Sequence, residues 1–207
     1  MLNVKKMQDC VDRIVMLASN ISMKFIAATK SAAAYSENDY TPAKRKELAD
    51  EAMIPYNDTV FDALASMRIA ASDLEAAAAV PFDATDGTLI GWVNALAGNS
   101  DMPMEVLEGI RNQYTGNAAA LKLLAKTGDA YEKFFNKRVE EMAACAKKMT
   151  DTLNEISRHP ENLPVSISHL RDALILYSQC YGVSVDALEV NPSITEMRTR
   201  AIASWIL

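Results

Sequence analysis

The chain has 207 residues, half of them hydrophobic, with 21 basic against 27 acidic side chains and a net charge of −6. That length suits one large domain with a sizeable core, and that apolar share excludes gross disorder. The acidic balance argues against a general nucleic-acid binder, whose affinity rests on Lys and Arg neutralising phosphates.

Seven Gly and seven Pro are few turn formers for this length, so the elements should be long. Abundant Ala, Leu, Met, Glu and Lys make them helices. The expected fold class is all-α: a helical bundle with three long amphipathic helices, at about 3–36, 42–80 and 130–158, plus several short helices. It should form a single helical domain over 1–207, divided into a long hairpin (1–80), a short-helix cap (89–128) and C-terminal helices (129–207).

The first helix carries an apolar seam through Val4, Met7, Val11, Ile14, Ala18, Ile21, Phe25, Ala28, Ala32 and Tyr35, spaced alternately three and four apart. Such a seam wants a partner helix along its length. The polar cluster Ser36–Asp39 should end it. Thr41 is then an N-cap and Pro42 suits the first helical position. The second helix shows Val60, Leu64, Met67, Ala71, Leu74 and Ala78 on one face. Pro55 should kink it or split it into a short and a long piece. A short connection makes the first two helices an antiparallel hairpin.

Residues 81–88 read as a loop, the one plausible boundary in the chain. Three short helices follow, at about 89–97, 103–113 and 117–126, with Gly128 as a stop. The third long helix opens at Ala130 behind Asp129 and buries Phe135, Val139, Met142, Ala146, Met149, Leu153 and Ile156. Lys137, Arg138, Glu140, Glu141, Lys147, Lys148 and Asp151 should form its solvated face. His159-Pro160 ends it, and a helix from about 168 to 181 is closed by Gly182. A short turn at 185–189 leads to a last helix opening on the capping box Ser193-Ile-Thr-Glu196 and showing Ile194, Met197, Ala201, Trp205 and Ile206 on one face.

Catalytic and cofactor signatures are sparse. Cys10, Cys145 and Cys180 are odd in number, far apart and in apolar helical settings, as buried free thiols of a reducing compartment would be. There is no CxxC pair on which to found a zinc or redox motif. His159 and His169 lack the paired Glu-x-x-His spacing of carboxylate-bridged metal sites in bundles. A catalytic Cys–His pair would need the fold to bring Cys180 near His169. The glycines never cluster, so neither a P-loop nor a dinucleotide fingerprint exists. Lys44-Arg45-Lys46 is followed by Glu47, Asp50 and Glu51, which fits intrahelical pairing better than a nucleic-acid patch. Met7, Met67, Met142 and Met149 lie on seams and read as core, whereas Met102 and Met104 flank Pro103 near a loop. Asp9, Asp12 and Arg13 interrupt any secretion signal, and no window is apolar enough to span a membrane. These readings predict no catalytic residue, no metal, no cofactor, no small-molecule substrate and a cytoplasmic location.

The Thr41-Pro42 helix opening and the stretch MPMEVLEGIRNQYTGNAAALKLLAK (102–126) resemble small all-helical proteins encoded by tailed bacteriophages. The resemblance covers roughly residues 40–126, carries no diagnostic motif, and implies a virion-related, assembly-related or host-directed interaction role. The expected function is therefore a non-enzymatic structural or assembly protein whose partners are itself or capsid components. Its candidate contact residues are Val4, Met7, Val11, Ile14, Ile21, Phe25 and Trp205. The alternatives are an inhibitor of a host defence system, using an acidic stripe of Asp50, Glu51, Asp58, Asp62, Asp73 and Glu75, and a nucleic-acid binder using the mixed face of residues 133–148. Protein partners are expected, and nucleic acid and membrane are not.

Overall fold

The computed structural model describes residues 4–35, 39–79, 83 and 85–185. The described residues form seven α-helices and no strand: α1 (Val4–Ala33), α2 (Pro42–Ala78), α3 (Gly87–Ala97), α4 (Met104–Gln113), α5 (Ala118–Ala125), α6 (Asp129–Arg158) and α7 (Leu163–Tyr181), with a 3-10 turn at Pro160–Asn162 before α7. The all-α expectation and its three long helices are met. The last helix, the turn at 185–189 and Trp205 lie outside the described residues.

Helix ends follow the capping chemistry of the sequence. Thr41 caps α2: its carbonyl accepts from Arg45 N–H at 2.9 Å and its hydroxyl from Lys44 N–H at 3.4 Å. Asp86 caps α3, its carboxylate accepting from Thr88 and Leu89 N–H at 3.0 Å each, and Asn117 caps α5 through Ala120 N–H. For α6 the cap is shifted by one residue. The Gly128 carbonyl takes the first bonds, from Tyr131 and Glu132, and Asp129 sits in the first turn, where its charge favours the helix dipole. α7 ends on Gly182, whose φ of 70° places it in the left-handed region while its N–H returns to the Ser178 carbonyl. A side chain there would be strained, so Gly is the residue that closes this helix.

Two boundaries differ from expectation. Pro55 neither ends nor splits α2, which runs unbroken from Pro42 to Ala78. Pro55 lacks the N–H that would bond the Glu51 carbonyl, but the next residue anchors the turn. Tyr56 is buried, meets Phe25 edge-on at 5.2 Å and donates its hydroxyl to the Pro160 carbonyl at 2.7 Å. α7 begins at Leu163, several residues before the periodicity suggested. Pro164 fits its first turn, where an N–H has no intrahelical partner to lose.

The chain divides into two compact units, four of whose limits, at 11/12, 71/72, 149/150 and 172/173, fall inside helices. Unit 1 comprises Met1–Val11, Ser72–Met149 and Ala173–Val185; unit 2 comprises Asp12–Ala71, Thr150–Asp172 and Asp186–Leu207.

In unit 1, α3 packs on α5, and the buried residues include Leu89, Leu96, Ile110, Leu121, Leu124, Phe135, Leu174 and Tyr177. Met7 and Val11 of the α1 seam are also fully buried there. Several polar contacts fix this unit. Tyr131 donates to the Asn99 carbonyl and accepts from Met102 N–H. Arg111 lies over the Phe134 ring at 4.8 Å. The Gln8 amide exchanges two 2.8 Å hydrogen bonds with the Ser184 backbone, tying the residues after α7 to α1.

In unit 2, Ile14, Ala18, Ile21 and Phe25 of α1 are buried, as are Tyr56, Val60, Leu64 and Met67 of α2. Tyr35 and Tyr40 meet edge-on at 5.9 Å across the α1–α2 connection, consistent with the expected hairpin. Leu153 and Ile156 of α6 and Leu163, Ile167 and Leu170 of α7 complete the buried set. Arg68 donates to Asn154, and Glu155 pairs with His169 at 2.9 Å.

Candidate functional site

The structure separates the seam residues singled out by spacing from the surface. Met7, Val11, Ile14 and Ile21 are fully buried and Phe25 nearly so, whereas Val4 is exposed. From Met7 to Ala28 the α1 seam is thus covered within the chain itself, whereas Val4, Ala32 and Tyr35 at its ends are exposed or half-buried. Another apolar row faces solvent instead, on the outer side of α2 in unit 2. Ile54, Phe61 and Ile69 are 52%, 56% and 57% exposed. At about 100° per residue they fall within one third of the helix circumference, with Ala65 between them. Single exposed apolar side chains are ordinary. A row of three at intervals of seven and eight is a stripe of the kind that takes a partner helix. Exposed carboxylates border it: Asp58 and Asp62 within the row, and Asp50 and Glu51 just before it. On α1, Met16 and Met23 are also exposed and seven apart, so they share an outward side.

Sequence spacing could have found this row. The inward face of α2 sets Val60, Leu64 and Met67 among alanines. Ile54, Phe61 and Ile69 belong to a second pattern superimposed on the same helix.

A different arrangement lies in unit 1, where α6 meets α7. Positions 138, 141 and 145 of α6 lie three and four apart and so share one side. The Arg138 guanidinium pairs with Glu141 at 3.0 Å, donates to the Gln179 carbonyl at 3.4 Å, and reaches the Cys180 sulfur at 3.9 Å. The Cys145 thiol donates to the Glu141 carbonyl one turn earlier at 3.2 Å. Both cysteines are fully buried. Interaction with Cys145 and then the Arg138 guanidinium hold the Cys180 thiol below its ordinary pKa, while interaction with Cys180 and burial push Cys145 up. Tyr177 and Tyr181 stack beside them, ring centres 5.5 Å apart. Burial raises both phenols, with Glu75 of α2 adding to the effect.

This cluster corrects one expectation. Arg138 and Glu141 were grouped with the solvated face of α6, yet the Arg138 side chain is only 16% exposed and is turned onto α7. The buried row of α6 runs through Cys145 and not Ala146. His169 pairs with Glu155 in unit 2 at 2.9 Å, and in unit 1 the Cys180 sulfur is met by Arg138 at 3.9 Å.

Other candidates offer less. No group of three metal-ligating side chains occurs among the described residues, and no described helix is long and apolar enough to cross a membrane. A shallow depression of about 410 Å³ on the outer side of α6 is lined by Asp129, Glu132, Lys133, Asn136, Lys137 and Glu140. Three carboxylates outnumber two amines there, which is not how a phosphate backbone is cradled. Lys44 is paired with Glu47 at 2.9 Å, which accounts for part of the short basic tract. Compared with family models, curated proteins and solved structures, the chain matches none.

Proposed function

We propose that this chain is a non-enzymatic interaction protein that docks a helical protein partner along the outer face of α2. The observation that carries the reading is the exposed row Ile54, Phe61 and Ile69 on a helix whose opposite face is already buried. Desolvating such a row is favourable at roughly 25 cal/mol per Å² of apolar surface removed from water, so it is a binding resource. Its acidic border selects a partner that carries apolar and basic side chains, or a second copy aligned to avoid like charges. The resemblance of residues 102–126 to small helical proteins of tailed bacteriophages supports a virion-related or assembly role, with capsid components as partners.

Light scattering on a size-exclusion column tests self-association, and titration against capsid proteins tests the heterologous form. Concentration-dependent mass or saturable binding that Phe61→Asp removes supports the reading. A strict monomer at high micromolar concentration with no affinity for capsid proteins overturns it.

A second reading draws on one further observation: Asp50, Glu51, Asp58, Asp62, Asp73 and Glu75 are all exposed. An acidic helix face of this kind suits an inhibitor that occupies the basic cleft of a host defence nuclease. Recovery of a single nuclease from host lysate, lost on neutralising Asp58 and Asp62 but retained by Phe61→Asp, would favour it over the assembly role.

A further inference from the structure

The apolar row on α2 is bordered by charge of one sign. Between Glu47 and Met67 the chain places the carboxylates of Glu47, Asp50, Glu51, Asp58 and Asp62 and no basic side chain. All of these carboxylates are exposed. At about 100° per residue, Glu51, Asp58 and Asp62 fall on one flank of the row through Ile54, Phe61 and Ile69. A second copy laid along this row would set carboxylate against carboxylate, which is costly. The complement of such a surface is an amphipathic helix with basic residues beside its apolar side. Residues 193–207, which lie outside the described residues, have that pattern in sequence. The capping box Ser193-Ile-Thr-Glu196 opens a stretch with Ile194, Met197, Ala201 and Trp205 spaced three and four apart. Arg198 follows Ile194 by four and precedes Ala201 by three, so it borders that face. Arg198 and Arg200 outnumber Glu196, the one acid of the stretch. The lengths agree as well: from Ile54 to Ile69 the row is about 22 Å long, and 193–207 as a helix would be about 21 Å, at roughly 1.5 Å per residue.

We propose that residues 193–207 occupy the α2 row within their own chain, and that a docking partner gains the row by displacing them, an occupancy that rests on the reading of α2 as a docking surface. Both stretches belong to unit 2, which comprises α2 up to Ala71 and the chain from Asp186. Residues 186–192 join the segment to the end of the described chain. Extended at roughly 3.3 Å per residue they span about 23 Å, against a helix diameter of about 10–12 Å. A segment tethered by so short a linker acts at an effective concentration on the order of millimolar. Its two kinds of residue have different roles. Ile194, Met197 and Trp205 shield the apolar row from water, whereas Arg198 and Arg200 answer Asp58 and Asp62, fix the register and make the contact salt-sensitive. The affinity offered to an outside helix is lowered by the fraction of time the row is covered. The row is then reserved for a partner that outcompetes the tethered segment, and casual association through exposed apolar surface is suppressed.

The test uses the whole chain with photoreactive benzoylphenylalanine in place of Phe61, an exposed position, irradiated at low micromolar concentration. Peptide mapping should find the crosslink within residues 193–207, in a product of monomer mass. Crosslinks that never reach 193–207, or that reach it only in products of dimer mass, overturn the proposal. They leave the docking reading of α2 intact, because that reading is decided separately by the titration against capsid proteins. A second measurement uses a labelled synthetic peptide of residues 193–207 as the probe. Trp205→Asp vacates the row and should bind this peptide at least about 10-fold more tightly than the wild-type chain, whose row is already covered. Circular dichroism checks that the variant keeps its helical content. Adding Asp58→Lys and Asp62→Lys should weaken peptide binding and remove most of its salt dependence. Equal affinity of the wild-type chain and Trp205→Asp overturns the proposal, as does peptide binding that survives Phe61→Asp.

Discussion

Phe135 and Phe61 are the same side chain in two regions with opposite fates. Phe135, in unit 1, is fully buried and meets Phe134 edge-on at 5.1 Å; Phe61, in unit 2, is more than half exposed. The contrast extends to their surroundings. Unit 1 encloses three thiols and two stacked tyrosines. Unit 2 leaves Ile54, Phe61 and Ile69 of one helix in solvent, where the exposed Ile90, Met104 and Ile175 of unit 1 stand singly on three different helices. An exposed phenylalanine contributes little to folding, so the one on α2 is better explained by something it meets. The partly buried Arg138 is likewise explained by the charge it pairs, the Glu141 carboxylate at 3.0 Å.

Substitution can sharpen or break this contrast. Phe135→Ala should lower unfolding free energy by about 3–5 kcal/mol, the usual effect of emptying a closed aromatic site, read from urea denaturation. Tyr56→Phe removes the donor that satisfies the Pro160 carbonyl and should lower stability by about 1–2 kcal/mol; no loss would mean that the Pro55 turn is held by packing alone. Asp86→Ala deletes the α3 cap and should lower stability by about 1 kcal/mol. Smallest of all, Phe61→Asp should change folding stability by no more than about 0.5 kcal/mol while abolishing association. A fall as large as that for Phe135 would place Phe61 in the core and remove the contrast.

Alkaline titration probes both regions together. Burial raises the phenols of Tyr56, Tyr177 and Tyr181 above their ordinary value of 10.0. The unfolded chain therefore loses these protons first. The stability they represent is complete below pH 10 and is lost as pH rises through the folded values. Circular dichroism should show unfolding beginning above pH 10, and Tyr177→Phe together with Tyr181→Phe should make that onset less steep. Unchanged steepness would mean that the two phenols ionise equally freely in the folded and unfolded chain.

Most of the fold was legible because it rests on local rules. Threonine followed by proline starts α2, a seam of threes and fours marks the buried side of α1, and Gly182 stops α7. Pro55 was misread because its penalty is local whereas the anchorage of Tyr56 involves Phe25 and Pro160, distant in sequence. The contact of Arg138 with Cys180 was invisible for the same reason. The two residues are far apart in the chain, and charge periodicity alone assigned Arg138 and Glu141 to solvent. The outer row on α2 was present in the spacing, but a helix with apolar residues on two sides yields no clean single stripe, and the alanine-rich inner face dominated the reading.

The limits of the two units fall within α1, α2, α6 and α7. Each unit is therefore assembled from stretches that are discontinuous along the polypeptide, and no single scission of the chain isolates either one. Shortened or permuted versions would sever helices before they separated regions, so deletion mapping of a binding activity would report damage to both. Genetic dissection of this protein belongs to single-residue exchange. Insertions of reporter sequences are best directed to the connections between helices, where no helix is interrupted.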